Sequence, residues 1–135
     1  MSVSQSLRNR AVIIEAYVDL AATSGTTVGV SVPAGTLILA AGFEPSEAVP
    51  DVTTYTMDIT DGTTVFANDL NFDNTAAGVI KVGTTAGLVS AADTVDVVTT
   101  ISGSPGIISG RVFVVAIDVN DCVGQAAEVA RDVLA

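Results

Sequence analysis

The sequence predicts an all-β domain, an antiparallel sandwich or barrel, and three observations carry that expectation. About eight short segments alternate apolar and polar residues, with turn signals roughly every ten residues between them. Val and Thr, which suit pleated strands, and Gly and Asp, which suit turns, dominate the composition. No strand is followed by a long helical pattern until the end of the chain, so the βαβ alternation of a parallel sheet is absent. The length of 135 residues suits one domain with a real core. Most aliphatic residues are small, which implies a thin, sheet-like core.

Residues 1–10 are polar and are expected to form a flexible N-terminal arm carrying Arg8 and Arg10. Residues 11–20 alternate as a strand, with Val12, Ile14, Ala16 and Val18 against Ile13, Glu15, Tyr17 and Asp19. Residues 26–32 form a second strand with Val28, Val30 and Val32 in phase. Pro33, Ala34 and Gly35 break it with a tight turn. Residues 36–43 form a third strand, and the two prolines and three acids of residues 44–51 mark an exposed loop. Residues 52–60 alternate again, with Tyr55, Met57 and Ile59 inward and Thr54, Thr56 and Asp58 outward. Asp61-Gly62 is a strong hairpin signal, and residues 63–67 are the returning strand.

Residues 68–78 read as a long loop with a short helical turn. Residues 79–82 and 88–90 are short, weak strands. Residues 94–101 are a clear strand with Val95, Val97 and Ile101 on one face. The last strand covers residues 107–119, with a kink or bulge expected at Gly110. Its section 111–119 is the longest strand-forming run unbroken by Gly, Pro or Asn. Val112, Val114 and Ala116 share one face, and Phe113, Val115, Ile117 and Val119 the other. A strand apolar on both faces is expected to be covered on both, by a second sheet on one side and by a sheet or another subunit on the other.

Beyond residue 120 the pattern changes. Val123, Ala126, Ala127, Ala130, Val133 and Leu134 recur three and four apart, which predicts an amphipathic helix capped by Asn120 or Asp121. The organisation is therefore an arm (1–10), a β-sandwich domain (11–120) and a C-terminal helix (121–135) packed on the body or on a sister subunit.

Composition also excludes. The net charge is −10 and the pI about 4.1. That opposes nucleic-acid binding, which requires a basic footprint. No run of apolar residues is long enough for a membrane-spanning helix, and the polar start lacks the apolar core of a signal peptide. The single cysteine, Cys122, excludes an intrachain disulfide and reads as a small apolar residue. The chain has no histidine, so Ser-His-Asp triads, Cys-His pairs and histidine-ligated metals are all impossible. An enzyme is not expected, and no cofactor is called for. The acid pairs Glu44/Glu47 and Asp58/Asp61 match general acid–base chemistry only in residue type, and a solvated surface is the expected use. Asp69, Asn71 and Asp73 are the weak candidate metal ligands, because D-x-N-x-D opens like a calcium loop. The sixth place is Asn74 and not Gly, and the twelfth is Ile80 and not Glu, so turn chemistry is favoured.

Five segments then run in a familiar order. They are A-Y-V-D-L-A-A-T, V-P-A-G-T-L-I-L-A-A-G-F, Y-T-M-D-I-T-D-G, T-V-D-V-V-T-T-I-S-G and G-R-V-F-V-V-A-I-D-V, spread over residues 11–119. This succession resembles the head-decoration and head-fibre proteins of tailed bacteriophages. The resemblance implies a jelly-roll-like antiparallel β-sandwich, often a homotrimer, bound to the major capsid protein on the outer surface of the virion. There it would act as a cement protein and not catalyse. The C-terminal segment extends past the usual family ending, and no family binding residue transfers. Arg8 and Arg10 are the candidates for capsid contact; Phe113, Val115 and Ile117, or the C-terminal helix, are the candidates for the subunit interface. The alternative is a receptor- or glycan-binding domain of a tail fibre, spike or surface layer. The absence of Trp counts against it.

Overall fold

The structure, a computed structural model, describes residues 11–119. Within the described residues, nine strands build two antiparallel sheets. They are β1 (Val12–Leu20), β2 (Gly25–Val32), β3 (Thr36–Pro45), β4 (Thr54–Thr60), β5 (Val65–Asn71), β6 (Lys81–Gly83), β7 (Gly87–Val89), β8 (Asp93–Ser102) and β9 (Ile108–Asp118). One sheet has the order β1-β9-β3-β6, with β7 also paired to β3, and the other has the order β2-β8-β4-β5. The pairs β1·β9, β2·β8, β3·β6/β7 and β4·β5 are nested in sequence. The chain is thus a double ribbon folded on itself at the β4–β5 turn and rolled so that successive rungs fall in alternate sheets. That is a jelly roll, as the resemblance implies.

The turn at the centre of the ribbon has a local cause. Gly62 takes a φ of +92°, which glycine adopts without steric cost. The Asp61 carboxylate accepts hydrogen bonds from the amides of Thr63 and Thr64 at 2.9 and 2.7 Å. The Asp-Gly pair therefore reverses the chain with its polar groups satisfied.

Alternation places the core between the sheets. Tyr55, Met57 and Ile59 of β4, Val95 and Val97 of β8, and Val112, Val114 and Ala116 of β9 are all buried there. Phe43 meets Phe72 edge-on, with ring centroids 5.5 Å apart. This geometry suits the opposed charges of ring face and ring edge.

Several expectations need correction. Val28 does not share a face with Val30 and Val32. A bulge shifts the β2·β8 register between Thr27 and Val30, so Val28 is 62% exposed while Val30 is buried. The strand after the Asp61 turn runs to Asn71, well past residue 67, and residues 68–78 contain no helical turn. Asn68 and Asp69 read as loop residues, but the ladder takes them up through irregular register and a positive φ of 52° at Asp69. Gly110 is not a bulge: β9 keeps continuous register with β1 through it. Its missing side chain makes room for the Phe43 ring. A Cβ there would lie 2.4 Å from Phe43 Cζ and 2.6 Å from the Glu44 carbonyl oxygen. The expected cover on both faces of β9 is met on one side only by the described residues. Val112, Val114 and Ala116 face the second sheet, while Val115 and Ile117 are half-buried on the outside. The arm and the C-terminal helix expected from the sequence lie outside the described residues.

Gly110→Ala should therefore lower stability by about 1–3 kcal/mol through overpacking. Gly25→Ala, where a Cβ meets nothing within 4 Å, should stay within about 0.5 kcal/mol of the parent. Urea melts of both variants check this; equal stability of the two would refute the packing role given to Gly110.

Candidate functional site

The side chains that chemistry would need are committed to structure. Among the acids flagged by the sequence, Glu44 pairs with Arg111, and Glu47 accepts the Ser109 amide at 2.9 Å. Asp58 accepts the Asp69 amide at 2.8 Å, and Asp61 holds its own turn. Each carboxylate thus ties a strand or a turn, and neither sequence pair forms a facing acid and base. Asp69, Asn71 and Asp73 follow one another through the end of β5 and the turn after it. Asn71 Oδ1 accepts the Asp73 amide at 3.0 Å, and Asp73 Oδ1 accepts the Val52 amide at 2.7 Å. Both oxygens hold backbone. Among the described residues, no three His, Cys, Asp or Glu side chains come together as a metal-binding group.

A small cavity sits beside the central turn, lined by Asp61, Thr63, Leu88, Val89, Ser90 and Asp93. It brings hydroxyls and two carboxylates together, and the Asp61 carboxylate is already engaged by the amides of Thr63 and Thr64. Tyr55 has the one clearly perturbed acid among the described side chains. Burial, with a smaller push from the nearby charge of Glu47, raises its phenol from 10.0 to about 12. Its hydroxyl has no hydrogen-bond partner among the described residues. The ring is fully buried in the core.

The outer faces of the two sheets differ strongly. On the four-stranded sheet, Thr54, Thr56, Asp58 and Thr60 of β4 lie beside Thr100, Val98 and Asp96 of β8, a mainly polar surface. On the five-stranded sheet, register groups the outward residues by rung. Tyr17, Arg111 and Glu44 form one rung, and Glu15, Phe113, Gly42 and Val82 the next. Ile13, Val115 and Ala40 follow, and then Ile117, Leu37 and Leu88. One end of this face is charged and the other is apolar.

The charged end closes over Phe113. Arg111 Nη1 donates to Glu15 Oε2 at 2.5 Å, and its Nε lies 3.5 Å from Glu44 Oε1. One guanidinium thus links three strands. The hydrogen bond to Glu15 is the main reason the Arg111 guanidinium is held above its ordinary value. The same guanidinium stands 5.0 Å over the Phe113 ring, which uses the space left by Gly42 and is only 7% exposed. Of the three interface candidates, Phe113 is therefore buried within the subunit. Val115 and Ile117 remain half-buried at the apolar end, with Ile13 62% and Leu88 52% exposed around them. This two-ended face was not legible in the sequence, because strand pairing decides which outward residues become neighbours. Arg8 and Arg10 lie outside the described residues.

No family model matches the chain, and no curated protein is similar to it in sequence. Solved structures do share its fold. A chain of the capsid asymmetric unit of cyanophage Pam1 superposes with a TM-score of 0.58 at 15% identity, over 81% of this chain and 85% of that one. A chain of the acidic stable capsid structure of Helicobacter pylori bacteriophage KHP30 does so with a TM-score of 0.57 at 13% identity, over 82% and 89%. The class is thereby defined as a jelly-roll β-sandwich of the kind found in viral capsids. At these identities the likeness is one of fold.

The Tyr55 phenol gives this core a pH signature. The unfolded chain ionises near pH 10 and the folded protein near 12. Between these values the unfolded state has released a proton that the folded state still holds. Stability is then intact below pH 10 and falls as pH rises towards 12, by on the order of 2 kcal/mol. Tyr55→Phe should remove much of that alkaline loss and leave stability at pH 7 equal or up to about 1 kcal/mol higher. Melts from pH 7 to 12 test this; parallel curves for the two proteins would contradict it.

Proposed function

We propose that this chain is a virion structural protein, a capsid decoration or cement protein on the outer surface of a phage head. Its partner is the major capsid protein, and it acts as a homotrimer without a cofactor. One observation carries the reading: a single jelly roll matches chains of two phage capsids over more than four fifths of both partners. The shared unit spans most of each of those two chains. The resemblance of residues 11–119 to head-decoration proteins points the same way.

The physics suits such a role. A cement protein works by modest interfaces repeated over many copies, so that avidity replaces a single tight site. Carboxylates bound to turns, and an interior given to packing, fit a protein whose work is to hold shape. The net charge of −10 favours a solvent-facing position over one against packaged nucleic acid. Arg8 and Arg10 would serve the shell contact as cations on an otherwise acidic chain.

Purified protein incubated with capsids assembled without it should co-sediment and saturate, and its mass in solution should be that of a trimer. Capsids that stay bare with a correctly folded protein would reject the cement role. Arg8→Ala with Arg10→Ala should weaken binding and steepen neither the melt nor its midpoint. Unchanged capsid affinity in that variant would remove these residues from the contact.

A further inference from the structure

We propose that residues 123–134, as the amphipathic helix their spacing predicts, lie across the apolar end of the five-stranded sheet of their own subunit. The inference does not depend on the capsid reading.

The apolar end is where the chain leaves the sandwich. β1 begins there and β9 ends there, since Val12 pairs with Ala116. The Val119 amide donates to the Gly35 carbonyl at 2.8 Å, which pins the exit beside the start of β3. Ile117, Leu37 and Leu88 form the last outward rung before that exit. Val115, Ala40 and Ile13 form the next. Neither rung is covered by a described residue, and Ile13 and Leu88 are more than half exposed. The other outer face carries mainly threonines and aspartates, with Val28 and Val98 among them.

The segment that follows has the complementary pattern. Val123, Ala126, Ala127, Ala130, Val133 and Leu134 make one apolar stripe, mostly of small residues that let a helix approach a sheet closely. Twelve helical residues span about 18 Å. Crossing from β1 to the β7 edge takes about 14 Å at the usual strand spacing. Residues 120–122 reach at most about 10 Å, which holds the helix start near Leu37 and Ile117 of the same sheet. Residues 1–10 also adjoin this end, but they offer only Met1, Val3 and Leu7 among polar neighbours. The C-terminal segment is the better match. Val115 and Ile117 then make an intrachain contact, in place of the subunit interface expected from the sequence.

A nitroxide on the polar side of the segment tests this in the full-length chain. Arg131→Cys and Glu128→Cys, each in a Cys122→Ser background, provide two independent label sites. Methyl spectra are recorded with isotope and label on the same copies, diluted into unlabelled protein. The methyls of Ile13, Leu37, Val115 and Ile117 should lose more than half their intensity, while those of Val28 and Val98 on the other sheet keep theirs. Equal broadening on both outer faces, or none, overturns the proposal. Broadening seen only when label and isotope sit on different copies puts the segment on a sister subunit and overturns it as well. Loss of capsid binding in either variant would bear on the proposed function and leave this result unaffected.

Discussion

The nested pairing of one double ribbon is the constraint on which the rest of this protein depends. Residues at opposite ends of the described chain must meet, as Val12 does with Ala116, before the central sheet exists. Backbone groups of β9 are satisfied on both sides, by β1 and by β3, so removing either partner would leave buried N–H and C=O groups unpaired. Such a fold is held by non-local contacts and belongs to the slow-folding class of topologies. The local signals that help are the turns, above all Asp61-Gly62, which sets the centre of the ribbon.

Polar chemistry in this protein serves shape. Of the acids that the sequence offers for catalysis or metal binding, Glu47, Asp58, Asp61 and Asp73 hold amides in turns and strands, and Glu44 pairs with Arg111. The cation at the sheet surface, Arg111, spans two carboxylates and shields an aromatic ring. Each of these surface links is worth little alone, because solvent screens it. Their value is positional, since they fix which strand lies beside which at the end of the sheet where packing is thinnest.

Reading the strands from the sequence worked where alternation was strong. β4 shows the expected inward Tyr55, Met57 and Ile59, and β8 the expected Val95 and Val97. It failed where one residue changes the phase. The bulge in β2 turns Val28 outward, and Gly29 within the shifted stretch is its one local sign. The continuation of β5 through Asn68 and Asp69 was hidden because both residues favour turns, yet pairing to β4 overrode that preference. A glycine inside a strand, as at Gly110, can mean a bulge or a close neighbour. Only the position of Phe43 distinguishes the two. The candidate surface was half legible: that β9 is apolar on both sides is written in residues 111–119, but that Phe113 is buried under Arg111 is not.

By itself the sequence determined the class of the protein. Alternation at period two, turn residues at regular spacing and the absence of histidine follow from local chemistry, and they define an antiparallel β-domain without histidine-based catalysis. Whether these strands closed as a barrel or a sandwich, which strands became neighbours, and which apolar residues stayed outside were decided only in the tertiary structure. The reason is that hydrogen bonds between strands are indifferent to sequence. Any strand edge can pair with any other, so the partners are selected by the fit of buried side chains across the two sheets. That fit exists only once distant parts of the chain have come together.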